Sequence, residues 1–369
     1  MLCNRIRVRN FRNIAEADVS FTEGVNILAG ENAQGKTNLL EAIGYAAIGK
    51  SFRTQHDEEM IRFGEELAEI SLDFSDSLRE QNLTVRMMKG KRRRIEHNRV
   101  PIKRVSDVVG KFRVVLFCPE HLSLIKDGPG ERRNYLDVAI SQLYPLYLAS
   151  LQRYNQILKQ RNQLIRTAED DRRAFLDTAD FFSLQLAREA AVISQYRYRY
   201  LLRANEEIRA CFGEMMGERE TPDAIYRGSA GLSPEEYEDV AHTEQVYAKL
   251  LTTRYDREIG AGSTLWGVHK DDVEIMLNGN PARQFASQGQ QRSLALAMKL
   301  AEGEVCRSVC GEIPVFLLDD VFSELDAGRR QYLSAKIEGR QVIITSCEPE
   351  CVRDGNRILV QGGQYTQRS

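Results

Sequence analysis

The stretch "GENAQGKT", Gly30 to Thr37, follows an apolar, strand-like run and precedes a helical pattern. It matches G-x-x-x-x-G-K-[ST], and a strand before and a helix after are the context in which this loop binds phosphates. Its glycines let backbone N–H groups curl around phosphates, Lys36 adds a positive charge, and Thr37 offers a hydroxyl to Mg²⁺. A glycine-rich turn with a solvated lysine is the alternative, which the flanking patterns disfavour. We predict nucleotide contacts along the whole loop: Gly30, Glu31, Asn32, Ala33, Gln34, Gly35, Lys36 and Thr37.

A second stretch, "VFLLDDV" from 315 to 321, has the composition of a buried strand that ends in two carboxylates. Acids at strand ends are common, so this pattern is weak by itself. In a chain that also has a phosphate-binding loop, it predicts that Asp319 and Thr37 bind Mg²⁺. Asp320 then lies where a carboxylate polarises the water that attacks a phosphate. We therefore predict catalytic roles for Lys36, Asp319 and Asp320.

A third stretch, "FASQGQQR" from 285 to 292, leads directly into an apolar helical pattern. Ser287 and Gly289 at a helix start supply a hydroxyl, N–H groups and the positive end of the helix dipole, a combination that binds anions. A capped helix start with no ligand explains the same residues. Two anion sites for one nucleotide make sense if they close on it from opposite sides.

The composition describes a globular chain that can bury a large core. The chain has 369 residues, of which 42% are hydrophobic, enough for two or three domains. A net charge of −2 excludes a wholly basic nucleic-acid binder and leaves only local basic patches for that role. The longest uncharged stretch, 138 to 152, is too short and too polar to span a bilayer.

Cysteine usage and the N-terminus favour a cytoplasmic protein. Seven cysteines, an odd number scattered over a large chain, are typical of a reducing compartment. Two pairs, Cys306/Cys310 and Cys347/Cys351, have the spacing of zinc ligands, but Cys306 and Cys310 lie on an apolar helical pattern and no histidine is near. The start "MLCNRIRVRNF" lacks the apolar core of a secretion signal.

The order of predicted elements places a helical segment between two α/β segments. Strand patterns and one helix fill the first part, whereas 130 to 216 is almost wholly helical with heptad-like apolar steps. We interpret these steps as two helices that divide near "TAEDDRR", 167 to 173, followed by a third helix after Ser233-Pro234. A hairpin is predicted at Asn278-Gly279, three strands follow the third stretch, and the tail "GGQYTQRS" is expected to fray.

The three stretches, in this order, resemble the ABC-type ATPase head shared by RecF and the SMC proteins. Their intervals fit the RecF family, as do "NFRN" at 10–13, "FCPEHLSLIKDGPGERRNYLD" at 117–137 and "GVHKDD" at 267–272. The resemblance implies an α/β fold, an ABC-type P-loop ATPase head with added antiparallel β-strands and an inserted helical subdomain that forms a short coiled-coil-like arm. We predict a discontinuous head at 1–129 and 260–369, with the insertion at 130–259.

The resemblance assigns further site residues. Ser287, Gly289 and Gln290 fall in the signature motif, which in this family contacts the γ-phosphate of ATP held by the other subunit, so Ser287 joins the predicted catalytic set. "SELD", Ser323 to Asp326, resembles the loop that crosses the dimer interface, which predicts a nucleotide-site role for Asp326.

Some positions depart from the wider pattern. Asp320 stands where transporter-type ATPases carry Glu, and "ITSCEPE", 344 to 350, has no switch histidine, so hydrolysis is expected to be slow. Val268 and Lys270 stand where the RecF family usually has Pro and Arg, which leaves the role of His269 open. The glutamine of the Q-loop is not assigned.

A basic stretch is the candidate DNA contact. "RMMKGKRRRIEHNRVPIKR", 86 to 104, has nine Lys or Arg residues and one acid, Glu96. Such a density suits contacts to phosphates and carries no information about base recognition. A solvated hairpin tip is the alternative. The candidates that we select are Lys91, Arg92, Arg93 and Arg94.

The resemblance implies an ATP-gated DNA clamp with ATP and Mg²⁺ as cofactors and a weak, DNA-stimulated ATPase as a switch. It implies an ATP-dependent homodimer on double-stranded DNA, gaps and junctions of single and double strands, with RecO and RecR as partners in loading RecA and in the SOS response. No membrane partner is expected.

Three other classes of protein are less compatible with the chain. Transport ATPases have their phosphate loop and acidic strand far closer than Lys36 and Asp319, which are 283 positions apart. A long-armed SMC-type chromosome protein needs a longer helical insertion, and an ATPase-coupled nuclease needs a further metal-binding domain after the last strand. An SMC-type structural ATPase or another ABC-type ATPase remains the alternative function.

Overall fold

The computed structural model describes residues 1–54, 56–217, 219–347 and 355–367. The strands are β1 Leu2–Phe11, β2 Ile14–Ser20, β3 Val25–Ala29, β4 Leu67–Ser75, β5 Glu80–Met88, β6 Lys91–His97, β7 Val100–Ile102, β8 Val114–Phe117, β9 Pro222–Arg227, β10 Asp272–Leu277, β11 Asn280–Pro281, β12 Val315–Asp319, β13 Val342–Ser346, β14 Asn356–Gln361 and β15 Gln364–Gln367. The helices are α1 Lys36–Ile48, α2 Pro129–Leu143, α3 Pro145–Arg166, α4 Arg172–Met216, α5 Val240–Thr253, α6 Tyr255–Ala261, α7 Ala282–Phe285, α8 Gln288–Cys310, α9 Val321–Glu324 and α10 Ala327–Lys336.

The chain forms two compact units. The first contains residues 1–123 and 295–369, and the second contains residues 124–294. The helical region is thus inserted into a discontinuous α/β unit, and the second boundary falls within α8. The observed division differs from the predicted limits at 130 and 260, because residues 260–294 pack within the helical unit. The domain limits at 130 and 260 remain a prediction from the sequence.

A mostly parallel sheet in the first unit carries the phosphate-binding loop. Its strand order is β15-β14-β3-β13-β12-β8, in which only β15 runs antiparallel to its neighbour. The residues of β8, β12 and β13 are all buried, as expected for strands covered on both faces. Because parallel strands end at one edge, the segments after β3, β13, β12 and β8 lie side by side.

An antiparallel sheet in the same unit has the order β2-β1-β4-β5-β6-β7. Its strands alternate buried apolar and solvent-facing polar residues, most clearly in β1, where Ile6 and Val8 are buried between three exposed arginines. Helix α1 packs against strands of both sheets, and its Leu39, Leu40 and Ile43 belong to the core cluster that joins them. These are the added antiparallel strands that the sequence predicts.

The tail "GGQYTQRS" does not fray within the described residues, contrary to expectation. Gly362 and Gly363, with φ of 55° and 76°, form a tight turn, and β15 then pairs with β14. Glycine adopts this left-handed conformation without steric cost, which is why the turn is possible. Tyr365 packs against the core cluster, so its burial adds to the pairing.

The helical unit contains three helices where two are predicted between 130 and 216. The predicted division near 167–173 is present, between α3 and α4. The further division, between α2 and α3, lies at Pro145, which is the first residue of α3 and follows an extended Tyr144. A residue before proline avoids the helical conformation, and proline fits the first helical turn. One helix therefore ends before Pro145 and the next begins at it.

Helices α3 and α4 pack as an antiparallel pair, and two charged residues that interrupt the heptad-like apolar steps, Arg161 and Glu189, are ion-paired. The fully buried Arg161 bonds to Glu258 Oε2 at 2.5 Å and to Ser183 Oγ at 3.0 Å. Glu189 accepts a hydrogen bond from Arg153 Nε at 2.6 Å. Partners supplied by neighbouring helices therefore compensate the charges that break the heptad pattern.

A small sheet of order β11-β10-β9 completes the second unit. The predicted hairpin is confirmed, because Asn278 and Gly279 both have positive φ, 52° and 76°, between β10 and β11. Such a pair of residues forms the tight turn that matches strand twist. Strand β9 is an addition to the predicted elements, and it pairs with β10 along its whole length.

Two compositional points can be compared with the structure. No helix in the described ranges is long and apolar enough to cross a membrane. The six cysteines within those ranges are free, and no cluster there has three or more side chains suited to a metal ion. Cys351, the other half of one predicted pair, and residues 348–350 of "ITSCEPE" lie outside the described residues.

Candidate nucleotide-binding site

The phosphate-binding loop joins β3 to α1, as predicted. Lys36 is the first residue of α1, and Gly35 before it has φ of 113°, a conformation that L-residues rarely adopt. Lys36 is buried, and its ammonium donates to the carbonyls of Gly30 at 2.6 Å and Glu31 at 2.7 Å. The lysine thus folds back over the concave side of its own loop, where it can receive phosphate oxygens.

The glycines of the loop are required by close approaches. A Cβ at Gly30 would lie 2.2 Å from the Val360 carbonyl oxygen of β14, which no side chain can tolerate. A Cβ at Gly35 would lie 3.0 Å from the Tyr365 hydroxyl and 3.1 Å from Asn13 Oδ1, in addition to the strained φ. The loop pattern is therefore also a packing requirement of this sheet.

The outer side of the loop is braced by the β14–β15 hairpin. The Gly363 N–H donates to the Gln34 carbonyl at 3.0 Å, and the Gly362 N–H donates to Gln34 Oε1 at 2.6 Å. The Tyr365 hydroxyl donates to the Gly35 carbonyl at 2.9 Å. The Gln34 side chain is thus bound to the hairpin, so its predicted nucleotide contact would come from the backbone.

Asp319 and Thr37 meet at the carboxyl edge of the parallel sheet. The Thr37 hydroxyl donates to Asp319 Oδ1 at 2.8 Å, and Thr345 Oγ1 on β13 donates to the same oxygen at 2.7 Å. Burial raises the pKa of the Asp319 carboxyl above its ordinary value, while the hydrogen bonds from Thr345 and Thr37 oppose that shift. A carboxylate and a hydroxyl at this spacing form an oxygen donor pair of the kind that Mg²⁺ prefers.

Asp320 has an unusual backbone. Its φ and ψ are 50° and 25°, a left-handed conformation that is uncommon for a residue with a side chain. Its N–H donates to Thr345 Oγ1 at 2.9 Å, and its carbonyl accepts from the Ser323 hydroxyl at 2.7 Å. This turn ends β12 and places Asp320 in the wall of the cavity beside Asp319.

Lys36, Thr37, Asp319 and Asp320 line one cavity of about 520 Å³. Residues without a predicted role at the nucleotide complete its wall: Asn38, Phe52, Arg53, Pro119, Glu120, Thr345 and Cys347. The last four of these follow or end the strands β8 and β13, so the rule that parallel strands end at one edge could have found them. Cys347, which follows β13, has its Sγ 3.3 Å from Lys36 Nζ and 2.9 Å from Asn32 Oδ1.

The stretch "NFRN", 10–13, lies beside this cavity, and its Arg12 forms an ion pair with Glu41 of α1. Glu41 on α1 is fully buried and binds Arg12 through two contacts of 3.0 and 2.7 Å. It also accepts from Arg53 Nη1 at 3.2 Å, and the same guanidinium donates to Asn38 Oδ1 at 2.7 Å. Two cations that share one buried carboxylate are held rigidly, which fixes Arg53 in the cavity wall.

The predicted signature residues form a helix N-terminus in the second unit. Ser287 N–H donates to Gln290 Oε1 at 2.7 Å, and Gln290 N–H donates to Ser287 Oγ at 3.2 Å. This reciprocal arrangement is a capping box at the start of the 23-residue helix α8. Ser287 is exposed and Gly289 is partly exposed. The stretch is thus a capped helix start, as the alternative interpretation has it. A capped helix N-terminus can still bind an anion.

The glutamines around Gly289 have distinct local roles. Gln291 is buried and donates to the Ala286 carbonyl at 2.9 Å, so it braces the loop. Gln290 completes the capping box and also donates to Glu220. The predicted contact of Gln290 with nucleotide stays a prediction, and in the structure its side chain is bound within its own unit.

Asp326 is an N-cap residue in the first unit. Its carboxylate accepts from the Arg329 N–H at 3.0 Å at the start of α10, and that hydrogen bond holds the pKa of the carboxyl below its ordinary value. Asp326 is not among the described residues that line the cavity. Its predicted role at a nucleotide therefore depends on a second subunit.

His269 of "GVHKDD" has a structural environment. Its Nδ1 lies 2.6 Å from the Tyr154 hydroxyl and its Nε2 lies 3.1 Å from the Thr264 carbonyl. Burial lowers the pKa of His269 to about 4, so the ring is neutral at physiological pH. Gly267 before it is also required, because a Cβ there would lie 2.2 Å from the Tyr154 hydroxyl.

The stretches "PGERRNYLD" and "GVHKDD" meet within the second unit. Arg132 forms a bidentate pair with Asp272 at 2.7 and 2.9 Å, and Arg133 donates to the Asp271 carbonyl at 2.7 Å. The fully buried Asp271 accepts from the Ser229 N–H at 2.7 Å. Both stretches therefore serve the packing of the helical unit.

The basic stretch forms β5, β6 and β7 at the edge of the antiparallel sheet, and its cations differ in their partners. Arg86 is paired with Glu69 and Glu96 at 2.5 and 2.8 Å. Arg93 is partly buried, lies 3.3 Å from Asp57 and donates to Tyr45. Within the described part of the chain, Lys91, Arg92 and Arg94 are exposed and have no acidic partner within ion-pair distance. The predicted DNA contact thus rests on those three.

Comparison with known proteins shows the family to which the chain belongs. The family model of the RecF/RecN/SMC N-terminal domain matches residues 2–364. The DNA replication and repair protein RecF of Clostridium acetobutylicum is 36% identical over 351 residues, which cover 94% of this chain and 92% of that protein. The RecF protein of a Bacillus cereus strain is 36% identical over 374 residues, which cover 98% of each. The chain belongs to the RecF family.

Solved structures agree with this assignment. The recombination mediator protein RecF-ATPrS in the RecFOR pathway matches with a TM-score of 0.94 and 33% identity, over 100% of this chain and 98% of that chain. The corresponding RecF-ATP structure matches with a TM-score of 0.93. An Smc head domain of Pyrococcus furiosus, only 15% identical, shares the fold with a TM-score of 0.58. The predicted RecF resemblance and the ABC-type ATPase head with added antiparallel strands and a helical insertion are confirmed.

Proposed function

We propose that the chain is an ATP-gated DNA clamp of recombinational repair and replication recovery. ATP binds to the loop from Gly30 to Thr37 of one subunit. Ser287, Gly289 and Gln290 of a second copy contact the same ATP from the opposite side. Dimer closure creates the DNA-binding surface, and slow, DNA-stimulated hydrolysis reopens it. The relatives support this role, since they are named DNA replication and repair proteins and two RecF structures carry ATP or ATPrS in their names.

One observation carries the proposal: the cavity that brings Lys36, Thr37, Asp319 and Asp320 together. A buried ammonium in a loop of glycines and the N-terminus of α1 suit the phosphates of a nucleoside triphosphate. Thr37 and Asp319, whose oxygens are 2.8 Å apart, would hold Mg²⁺. When bound, Mg²⁺ neutralises charge on the phosphate oxygens.

The roles of the protein residues follow from their positions. Lys36 binds and orients phosphate oxygens from within the loop. Asp320, on the cavity wall beside Asp319, orients the attacking water and accepts its proton. Closure of the site by a second subunit excludes bulk water, which strengthens each of these electrostatic contacts.

A composite site, built from residues of two subunits, is suggested by the two anion-binding sites that one chain contains. The phosphate-binding loop supplies one, and the accessible N-terminus of α8 at Ser287 supplies another. A homodimer that pairs the loop of one copy with the helix end of the other uses both on a single nucleotide. We assign Asp326, at the N-terminus of α10, to the same interface.

For the nucleic acid, we propose contacts from Lys91, Arg92 and Arg94 to the backbone of duplex DNA and of junctions between single and double strands. We further propose that the protein acts with RecO and RecR to help load RecA at gaps and so supports the SOS response. The similarity to a RecF structure named for the RecFOR pathway supports this proposal. A cytoplasmic location remains part of this proposal.

The composite site is tested by mixing two inactive variants. Lys36→Ala removes the phosphate-binding lysine, and Ser287→Arg obstructs the signature end, so each homodimer has two defective sites. A mixed dimer has one intact site, formed by Lys36 of one subunit and Ser287 of the other. We expect DNA-stimulated ATP hydrolysis to reappear on mixing, measured by phosphate release.

The control is each variant alone at the same total concentration, with circular dichroism to show that both are folded. Hydrolysis that stays absent although mass spectrometry detects mixed dimers would contradict the composite site. ATPase activity that is unaffected by Ser287→Arg would instead indicate that a single subunit hydrolyses ATP by itself.

A further inference from the structure

We propose that Thr345 is a positioning residue for ATP hydrolysis, because its single hydroxyl holds both acidic residues of the site. Thr345 Oγ1 lies 2.7 Å from Asp319 Oδ1 and 2.9 Å from the Asp320 backbone nitrogen. The residue itself is 1% exposed. It therefore acts through Asp319 and Asp320 and not through direct contact with solvent.

The chemistry of the groups fixes the direction of both hydrogen bonds. The Asp320 N–H can only donate, so the Thr345 oxygen accepts from it. The hydroxyl proton is then free for Asp319 Oδ1, which as a carboxylate oxygen accepts. One hydroxyl thus bridges two consecutive residues, and its rotation is restricted from both sides.

Asp319 is oriented by two hydroxyls on the same oxygen. Thr37 and Thr345 both donate to Oδ1, at 2.8 and 2.7 Å. Oδ2 has no hydrogen-bond partner within the described residues, so it is the oxygen left for other ligands of the site. Loss of the Thr345 hydroxyl would leave Thr37 as the one remaining side-chain hydrogen-bond donor to this carboxylate among the described residues.

Asp320 depends on Thr345 even more. Its left-handed backbone, with φ of 50°, is strained for a residue with a side chain and persists only where neighbouring groups hold it. The hydrogen bond from its N–H to Thr345 is such a restraint, since it is made by the adjacent strand β13. The backbone at this turn determines where the Asp320 carboxylate points.

The sheet makes this arrangement rigid. Asp319 and Thr345 are register partners in the parallel pair of β12 and β13. Both are buried, at 7% and 1% exposure. A threonine also suits the strand through its β-branched shape, so the hydroxyl is presented by an ordered side chain.

The inference rests on the proposed ATP hydrolysis and predicts a specific kinetic signature. The Thr345 hydroxyl bonds to the two acids and not to the phosphate-binding loop, so nucleotide binding should not depend on it. The chemical step should depend on it, because a small displacement of a catalytic group can lower the rate by roughly 100-fold. A positioning residue therefore changes kcat and leaves nucleotide affinity unchanged.

The experiment compares Thr345→Val with Thr345→Ser. Valine keeps the size and branching of threonine and removes the hydroxyl, whereas serine keeps the hydroxyl. We expect Thr345→Val to lower kcat for DNA-stimulated ATP hydrolysis by roughly 10- to 100-fold. We expect Thr345→Ser to retain most of kcat, and both variants to bind a fluorescent ATP analogue with affinity close to that of the original chain.

Thr84→Val is the matched control. Thr84 is also a buried strand threonine, at 8% exposure, and its hydroxyl bonds to Asn82 Oδ1 at 3.1 Å, away from the cavity. We expect it to leave kcat unchanged. A similar loss of kcat in Thr84→Val would show that any buried hydroxyl matters and would overturn the assignment.

Other outcomes would also overturn the inference. They are an unchanged kcat in Thr345→Val, a loss of nucleotide affinity equal to the loss of kcat, or a folded Thr345→Ser that is as slow as Thr345→Val. If Thr345→Val does not fold, Thr345→Ser still decides, because it must retain kcat. An original chain that does not hydrolyse ATP with DNA would overturn the proposed function itself, a result distinct from these.

Discussion

At the residue scale, burial determines which titratable groups keep their ordinary chemistry. His269 is partly buried against Tyr154, and desolvation lowers its pKa to about 4, helped by the nearby cations Lys270, Arg133 and Arg161. The Thr264 carbonyl, which accepts from the ring, opposes the shift. The histidine that the sequence left without a role is thereby a neutral hydrogen-bonding link in the packing of the helical unit.

This gives a pH prediction for stability. In the unfolded chain His269 protonates near its ordinary pKa of about 6.5, whereas in the folded chain it protonates near 4. Between these values the unfolded state binds more protons, so the free energy of unfolding falls as the pH is lowered. We expect His269→Gln to reduce this slope by at most about 1.4 kcal/mol per pH unit, measured by urea unfolding from about pH 7 to about pH 4.5.

His56→Gln serves as the control, because His56 is exposed and lies outside the helical unit. The slope should be the same as in the original chain. If His269→Gln has the unaltered slope, the neutral state that we assign to His269 is wrong.

At the element scale, one strand shows how pairing selects the useful charges from a basic run. In β6, neighbouring side chains point to opposite faces, so Arg93 is separated from Arg92 and Arg94. Arg93 lies on the same face as the buried Ile95 and is bound to Asp57 and Tyr45. The sequence presents Lys91 to Arg94 as equivalent, and only tertiary neighbours distinguish them.

The DNA prediction at this scale uses that distinction. We expect the triple substitution of Lys91, Arg92 and Arg94 by Gln to weaken duplex binding and to flatten its salt dependence. The slope of log K against log salt should decrease by about 0.9 for each DNA phosphate that the variant no longer neutralises. Fluorescence anisotropy with a labelled duplex at several salt concentrations measures both quantities.

The matched control is the double substitution of Arg86 and Arg93 by Gln, which removes cations already paired with Glu69, Glu96 and Asp57. Its salt slope should remain close to that of the original chain. An unchanged slope in the triple variant would remove β6 from the DNA surface.

At the scale of the whole molecule, the two units divide the predicted site. The phosphate-binding loop, Asp319 and Asp320 belong to the first unit, whereas Ser287 and Gly289 belong to the second. In our proposal, a nucleotide brings these parts together between copies. The quaternary state should therefore respond to ATP.

We expect ATP with Mg²⁺ to convert a 42.1 kDa monomer into a species of twice that mass, measured by light scattering after chromatography. ADP should not do so, because it lacks the γ-phosphate that the signature end would contact. Lys36→Ala and Ser287→Arg should each remain monomeric, and Thr84→Val should dimerise like the original chain. Equal dimerisation with ADP would contradict the gating by ATP.

The sequence predicts most of the first unit because its signals are local. The loop at 30–37 and the strand that ends at Asp319 each depend on residues that are neighbours in the chain, as does the Asn278-Gly279 turn of the second unit. The break at Pro145 also has a local signal, the proline itself, although the heptad-like steps on either side favour a continuous helix. The tail at 362–367 also has a local signal, the Gly362-Gly363 pair that suits a tight turn, but its order depends as well on pairing with β14 and on the contact of Tyr365 with Gly35.

The sequence by itself determined the family, the nucleotide loop and its acidic partner, because glycine conformation, strand burial and charge are properties of short segments. Only the tertiary structure decided that Thr345 bridges Asp319 and Asp320 and that His269 is neutral. It also decided that Arg93, unlike its neighbours in the basic stretch, is ion-paired with Asp57. Each of these depends on which strand or helix lies beside another. Hydrogen bonds and desolvation act over a few ångströms in space, and residues this close can be hundreds of positions apart in the chain.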